Sequence, residues 1–189
     1  MRLFFAFLLL SSLVSTAQII PDFTLTNSMN EEPFVLSSLK ETTGIIAIFI
    51  SNDCPYVDAY ISRIKKISNQ FEDHGISLIL INSNSSDHDG IESITMMKQR
   101  GQEQEFLFPY LSDPNQRISK LFGARKTPEA FLLKPNGSQY HIVYRGAIDD
   151  NPQNENDVDD NYLIDAANRM IQRKAISNRS RHPAGCMIN

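Results

Sequence analysis

The sequence predicts an α/β layer fold, and three observations carry that prediction. Residues 44–50 and 76–82 are short, almost uninterrupted apolar runs of the kind found in strands buried on both faces. Between them, Val57, Tyr60, Ile61, Ile64, Ile67 and Phe71 keep helical spacing, and Gly75 supplies a stop. Residues 130–133 and 139–145 are then joined by Lys134-Pro135-Asn136-Gly137, where Asn-Gly marks a hairpin turn. Strand, helix and strand in alternation imply right-handed crossovers, which place helices on both faces of a mixed sheet.

In chain order, residues 21–26 alternate apolar and polar side chains and predict a short strand. Residues 34–39 follow, then the buried strand 44–50, the helix from Pro55 to about Gly75, and the strand 76–82. Polar residues 83–89 read as a loop. Ile91, Ile94 and Met97 mark a second helix ending near Gly101, and residues 106–111 predict another short strand. Asp113 and Pro114 form a cap and first-turn pair, with Gln116 placed to complete a capping box, for a short helix carrying Ile118, Leu121 and Phe122. The acidic stretch 149–160 reads as a solvated loop. Leu163, Ala166, Ala167 and Met170 give a last helix, and the tail from Ser177 shows no periodicity.

The chain opens on a processing segment. Arg2, an apolar core over residues 3–10 and the small residues Ser15-Thr16-Ala17 predict a signal peptide of residues 1–17 and a mature start near Gln18. The expected product is exported, periplasmic or secreted, with no membrane span after cleavage. About 170 residues remain, enough for one domain over residues 18–176 and a tail over 177–189. A net charge of −4 without a basic cluster argues against nucleic acid. The four histidines show no metal-ligand spacing, so neither metal nor bound cofactor is expected.

Cysteine placement points to chemistry. Ser51-Asn52-Asp53-Cys54-Pro55-Tyr56 follows the first buried strand directly, which seats Cys54 at a helix N-terminus with Pro55 at the first helical position. Backbone N–H groups and the helix dipole favour a thiolate there. The second cysteine, Cys186, lies in the tail beside Gly185. Three readings stay open for it: a resolving thiol, half of a structural bridge to Cys54, or a free thiol.

These pieces resemble the thioredoxin superfamily, and within it the peroxiredoxin-like branch (redoxins of the alkyl hydroperoxide reductase/thiol-specific antioxidant type). Pro21-Asp22-Phe23-Thr24-Leu25 is similar to the redoxin opening, and Ser51-x-x-Cys54 to the active-site turn. Thr127-Pro128 is similar to the cis-proline turn, and Tyr144-Arg145-Gly146-Ala147-Ile148-Asp149-Asp150 with Gly185-Cys186-Met187-Ile188 to segments of a peroxiredoxin-like subgroup. The resemblance implies a thioredoxin-like fold and a thiol oxidoreductase in which Cys54 attacks a peroxide or a disulfide. It implies that Ser51 hydrogen-bonds the sulfur, that Thr127, Pro128, Pro55 and Tyr56 line the substrate, and that an external thiol reductant recharges the protein. Two departures accompany it. Ser51 stands where the subgroup has the first cysteine of Cys-x-x-Cys, and Ala47 stands at the proline position of the peroxidatic Pro-x-x-x-(Thr/Ser)-x-x-Cys pattern. The competing reading is a non-catalytic binding module with a structural Cys54–Cys186 bridge.

Overall fold

The computed structural model describes residues 18–39, 41–86 and 89–189. The predicted signal peptide lies outside the described residues. The central strand is β4 (Gly44–Phe49), whose six residues are all buried because alternate side chains serve two different cores. Ile46 and Ile48 enter one core, while Ile45, Ala47 and Phe49 enter the other. Strand β5 (Ile76–Asn82) runs parallel to it, and β6 (Tyr110–Ser112) runs parallel to β5. On the other side of β4 comes β8 (Glu129–Asn136), antiparallel to it, and then β9 (Gln139–Gly146), antiparallel to β8. Strands β1 (Ile19–Pro21), β2 (Thr24–Asn27) and β3 (Pro33–Val35) complete the order β1-β9-β8-β4-β5-β6-β2-β3. This mixed sheet with helices on both faces is the thioredoxin-like architecture that the sequence predicts.

Helices α1 (Pro55–Glu72), α2 (Ile94–Glu103) and α4 (Tyr162–Ile171) pack on one face, and α3 (Arg117–Phe122) on the other. Helix α1 buries the predicted apolar positions Val57, Tyr60, Ile61, Ile64, Ile67 and Phe71, and Gly75 closes it at φ +70°. It also buries Arg63, which the spacing does not foretell. The guanidinium pairs with Asp149 at 2.7 Å with both side chains almost fully buried, and Tyr60 donates to the same carboxylate at 2.7 Å. Asp149 is therefore not part of a solvated loop. Two charged side chains and a phenol leave water together there, and the ion pair ties the end of the β8–β9 hairpin to α1.

Three local expectations are corrected. Residues 106–109 are not strand: β6 starts only at Tyr110, and Leu107 is 91% exposed. Helix α3 has no capping box. Gln116 itself takes the left-handed position before the helix at φ 53°, and the Asp113 carboxylate caps from further upstream, accepting the N–H groups of Ile118 and Ser119. Helix α2 starts after Ser93, whose hydroxyl accepts the Met96 N–H, and runs past Gly101. The tail carries two short strands that no periodicity announces. Strand β10 (Ser180–Arg181) pairs parallel with β9, and β11 (Cys186–Met187) pairs antiparallel with β7 (Lys126–Thr127).

Candidate active site

The chain turns sharply between β4 and α1, and Cys54 takes the position just before the helix in extended conformation (φ −134°). Pro55 follows as the first helical residue, as its fixed φ and missing N–H allow. Cys54 is 1% exposed, and its Sγ lies 3.2 Å from the carbonyl oxygen of Thr127. The peptide bond from Thr127 to Pro128 is cis, so the sulfur and the proline turn face each other as the resemblance implies.

Cys186 arrives at this turn on strand β11. Cys186 stands opposite Thr127 and Met187 opposite Lys126, and the Cys54–Cys186 disulfide closes across a Cα–Cα distance of 6.0 Å. Gly185 makes the approach feasible, because a Cβ there would stand 2.2 Å from the Thr127 carbonyl oxygen. Farther along, the Ile188 N–H donates to Arg125 O at 3.0 Å and the Asn189 N–H to the Asn84 side chain at 2.9 Å. Upstream, β10 passes Gly146, where a Cβ would stand 1.7 Å from the Arg181 carbonyl oxygen. The tail is thus an extended segment laid along the proline turn, with its cysteine joined to Cys54.

Ser51 is buried next to this junction, but its hydroxyl bonds to the Thr127 hydroxyl at 3.1 Å and not to the sulfur. It fixes the residue whose carbonyl faces the sulfur. Tyr56 is partly buried against the core, and it is Tyr60 that joins Pro128 in a cleft of about 180 Å³ with Asp149, Tyr162, Arg181 and Ala184. The Arg181 guanidinium lies 4.9 Å over the Tyr162 ring, which makes part of the tail a wall of that cleft. Burial first, then Asp149, push the Tyr60 phenol far above its ordinary value of 10.0, so it acts as a donor.

The turn has a second support that the sequence reading missed. The Glu92 carboxylate accepts the backbone N–H of Asn52 at 2.9 Å, the backbone N–H of Asp53 at 3.0 Å and the side-chain amide of Asn82 at 2.6 Å. The Tyr110 hydroxyl donates to the Asn52 side chain at 2.9 Å, and Arg100 donates to the Asn52 carbonyl at 3.1 Å. Burial, then Glu92, raise the Tyr110 phenol far above its ordinary value. Asn82 at the end of a largely apolar strand was the one sequence signal of this network.

Among the described residues, no group of three His, Cys, Asp or Glu side chains is placed to hold a metal ion. The site brings together two bonded sulfurs and the backbone edge of Thr127, which β11 occupies.

The AhpC/TSA family matches residues 16–142, more than half of the sequence. The chain belongs to the AhpC/TSA family. Similar solved structures include an uncharacterized conserved protein from Geobacillus kaustophilus, 27% identical with a TM-score of 0.83, covering 92% of this chain and 90% of that one. A hypothetical protein from Sinorhizobium meliloti is also 27% identical, with a TM-score of 0.81 and coverage of 94% and 95%. A peroxidoxin from Mycobacterium tuberculosis, 14% identical with a TM-score of 0.59 and coverage of 84% and 96%, shares the fold. No match is found among curated proteins. This redoxin thus carries its two cysteines 132 residues apart in sequence, yet bonded across the proline turn.

Proposed function

We propose that this AhpC/TSA-family chain is an exported thiol–disulfide oxidoreductase whose redox pair is Cys54 and Cys186. The observation that carries the reading is the antiparallel pairing of Cys186 with Thr127 beside the cis proline. The tail holds its sulfur where an extended substrate segment would present one. An exported location rests on the signal-type residues 1–17, and an oxidising compartment suits a resting disulfide.

The cycle balances with two electrons. Cys186 is half-buried and Cys54 almost sealed, so an external dithiol attacks the Cys186 sulfur first. The Cys54 thiolate leaves, the second reductant thiol displaces Cys186, and the reductant departs as a disulfide. With the tail lifted, the Cys54 thiolate attacks one sulfur of a substrate disulfide and releases the other as a thiolate that takes a proton. Cys186 then attacks the Cys54 sulfur of the mixed disulfide, releasing the second substrate thiol and restoring the bridge. Thr127 and Pro128 guide the incoming segment, Ser51 holds Thr127 in place, and Pro55 and Tyr56 shape the helix start.

Peroxide is the second substrate class the resemblance implies. Cys54 would then pass through a sulfenic acid that Cys186 condenses with, losing water. Disulfide is favoured because a backbone edge and a second cysteine strand face the sulfur.

Stopped assays with the reduced full chain test this reading. Wild type is expected to reduce a peptide disulfide and return to the bridged form. The Cys186→Ser chain is expected to stall as a mixed disulfide at Cys54. Faster turnover of hydrogen peroxide than of any disulfide would move the assignment to peroxidase. Turnover of neither would leave the bridge as a structural staple of a binding module.

A further inference from the structure

Glu92 lies in the link between β5 and α2. Its two oxygens take two consecutive backbone N–H groups, those of Asn52 and Asp53, plus the Asn82 amide. Successive N–H groups at a turn form a concave anion site. These donors belong to the two residues immediately before the nucleophile, Asn52 and Asp53. The helix start adds few others: Pro55 has no N–H, and the Val57 N–H bonds the Cys54 carbonyl at 2.9 Å. A carboxylate of the protein itself therefore occupies the backbone donors of the turn that carries the nucleophile.

We propose that Glu92 is a positioning residue that sets the acidity of Cys54, holding the turn in shape while its charge disfavours the thiolate. This rests on the redox reading above and deepens it. A negative charge near a thiol raises its pKa, and a less acidic nucleophile favours the bridged over the reduced form. Other charged groups surround the turn. From α1 comes Asp58, from α2 Arg100, which reaches both Asp58 and the Asn52 carbonyl, and the turn itself carries exposed Asp53. From the proline turn come Lys126 and Glu129, the latter held by the Arg125 and Lys126 N–H groups and by Arg145. Buried Tyr110 faces Glu92 as a neutral phenol. Of the acidic groups, Glu92 alone contacts the backbone of the turn on the donor side.

The test is the pH profile of iodoacetamide labelling in the fully reduced chain, read separately for the Cys54 and Cys186 peptides by mass spectrometry. Glu92→Gln keeps an acceptor oxygen and the side-chain volume but removes the charge. The Cys54 midpoint is expected to fall by about one pH unit, with Cys186 unchanged as internal reference. Asn82→Ala removes a hydrogen bond to the carboxylate while leaving its charge. It is expected to lower the melting temperature without moving the midpoint, and it remains informative should the glutamine chain fold poorly. An unchanged Cys54 midpoint in Glu92→Gln, or an equal shift in Asn82→Ala, would reduce Glu92 to a clamp and overturn the proposal. A Cys54 that labels at no pH in any of the chains defeats the redox reading itself, and the role of Glu92 with it.

Discussion

The two sulfurs of the bridge sit in opposite settings. Cys54 is carried by β4 and α1, whose neighbours Ile50, Val57 and Ile64 are wholly buried in the main core. Cys186 is carried by a two-residue strand with Met187 53% exposed beside it. The first seat is held by burial of apolar surface, which the whole domain shares. The second is held by a few backbone hydrogen bonds at a sheet edge and by the bridge itself. Unequal anchoring of this kind lets one partner stay fixed while the other leaves, which a redox pair needs and a structural staple does not.

Replacing the fixed sulfur should have the largest effect. Cys54→Ser is expected to abolish disulfide turnover down to the uncatalysed background, checked with the same peptide substrate, while circular dichroism stays native. Next comes the frame behind it. Asp149→Ala leaves the Arg63 guanidinium buried without its partner and should cost about 3–5 kcal/mol in urea unfolding. That loss belongs to the α1 side and should appear equally in reduced and bridged protein. Gly185→Ala strikes the other side alone. A Cβ pressed against the Thr127 carbonyl is expected to displace β11, raising amide exchange at residues 186–188 and slowing bridge re-formation, with little change in global stability. Smallest is Gln116→Ala, which removes one exposed hydrogen bond to the Asn189 carbonyl. It should cost about 0.5–1 kcal/mol of tail docking, readable as a modest rise in exchange near the C-terminus.

Legibility in the sequence followed the same division. The β4–α1 junction could be read because burial imposes periodicity, and Pro55 and Gly75 punctuate the helix as propensity requires. The cis proline followed from resemblance, since composition alone favours a trans bond. What could not be read was held by partners distant in sequence. Two-residue strands such as β10 and β11 are too short to carry a period of two. Glu92 caps a turn 39 and 40 residues upstream of it, and spacing does not encode that contact. Asp149 sits at the head of an acidic run, and its burial depends on an arginine on the inner face of α1. Spacing puts Ser51 near Cys54, but which group takes its hydroxyl depends on Thr127, 76 residues away.

The most direct test is a redox titration of the folded full-length chain against dithiothreitol buffers, with thiol tagging read by mass at each poise. The account predicts that Cys54 and Cys186 appear as thiols together along a single two-electron curve, with far-ultraviolet circular dichroism unchanged and the tail amides alone losing protection. A bridge that stays oxidised until urea unfolds the core would contradict it.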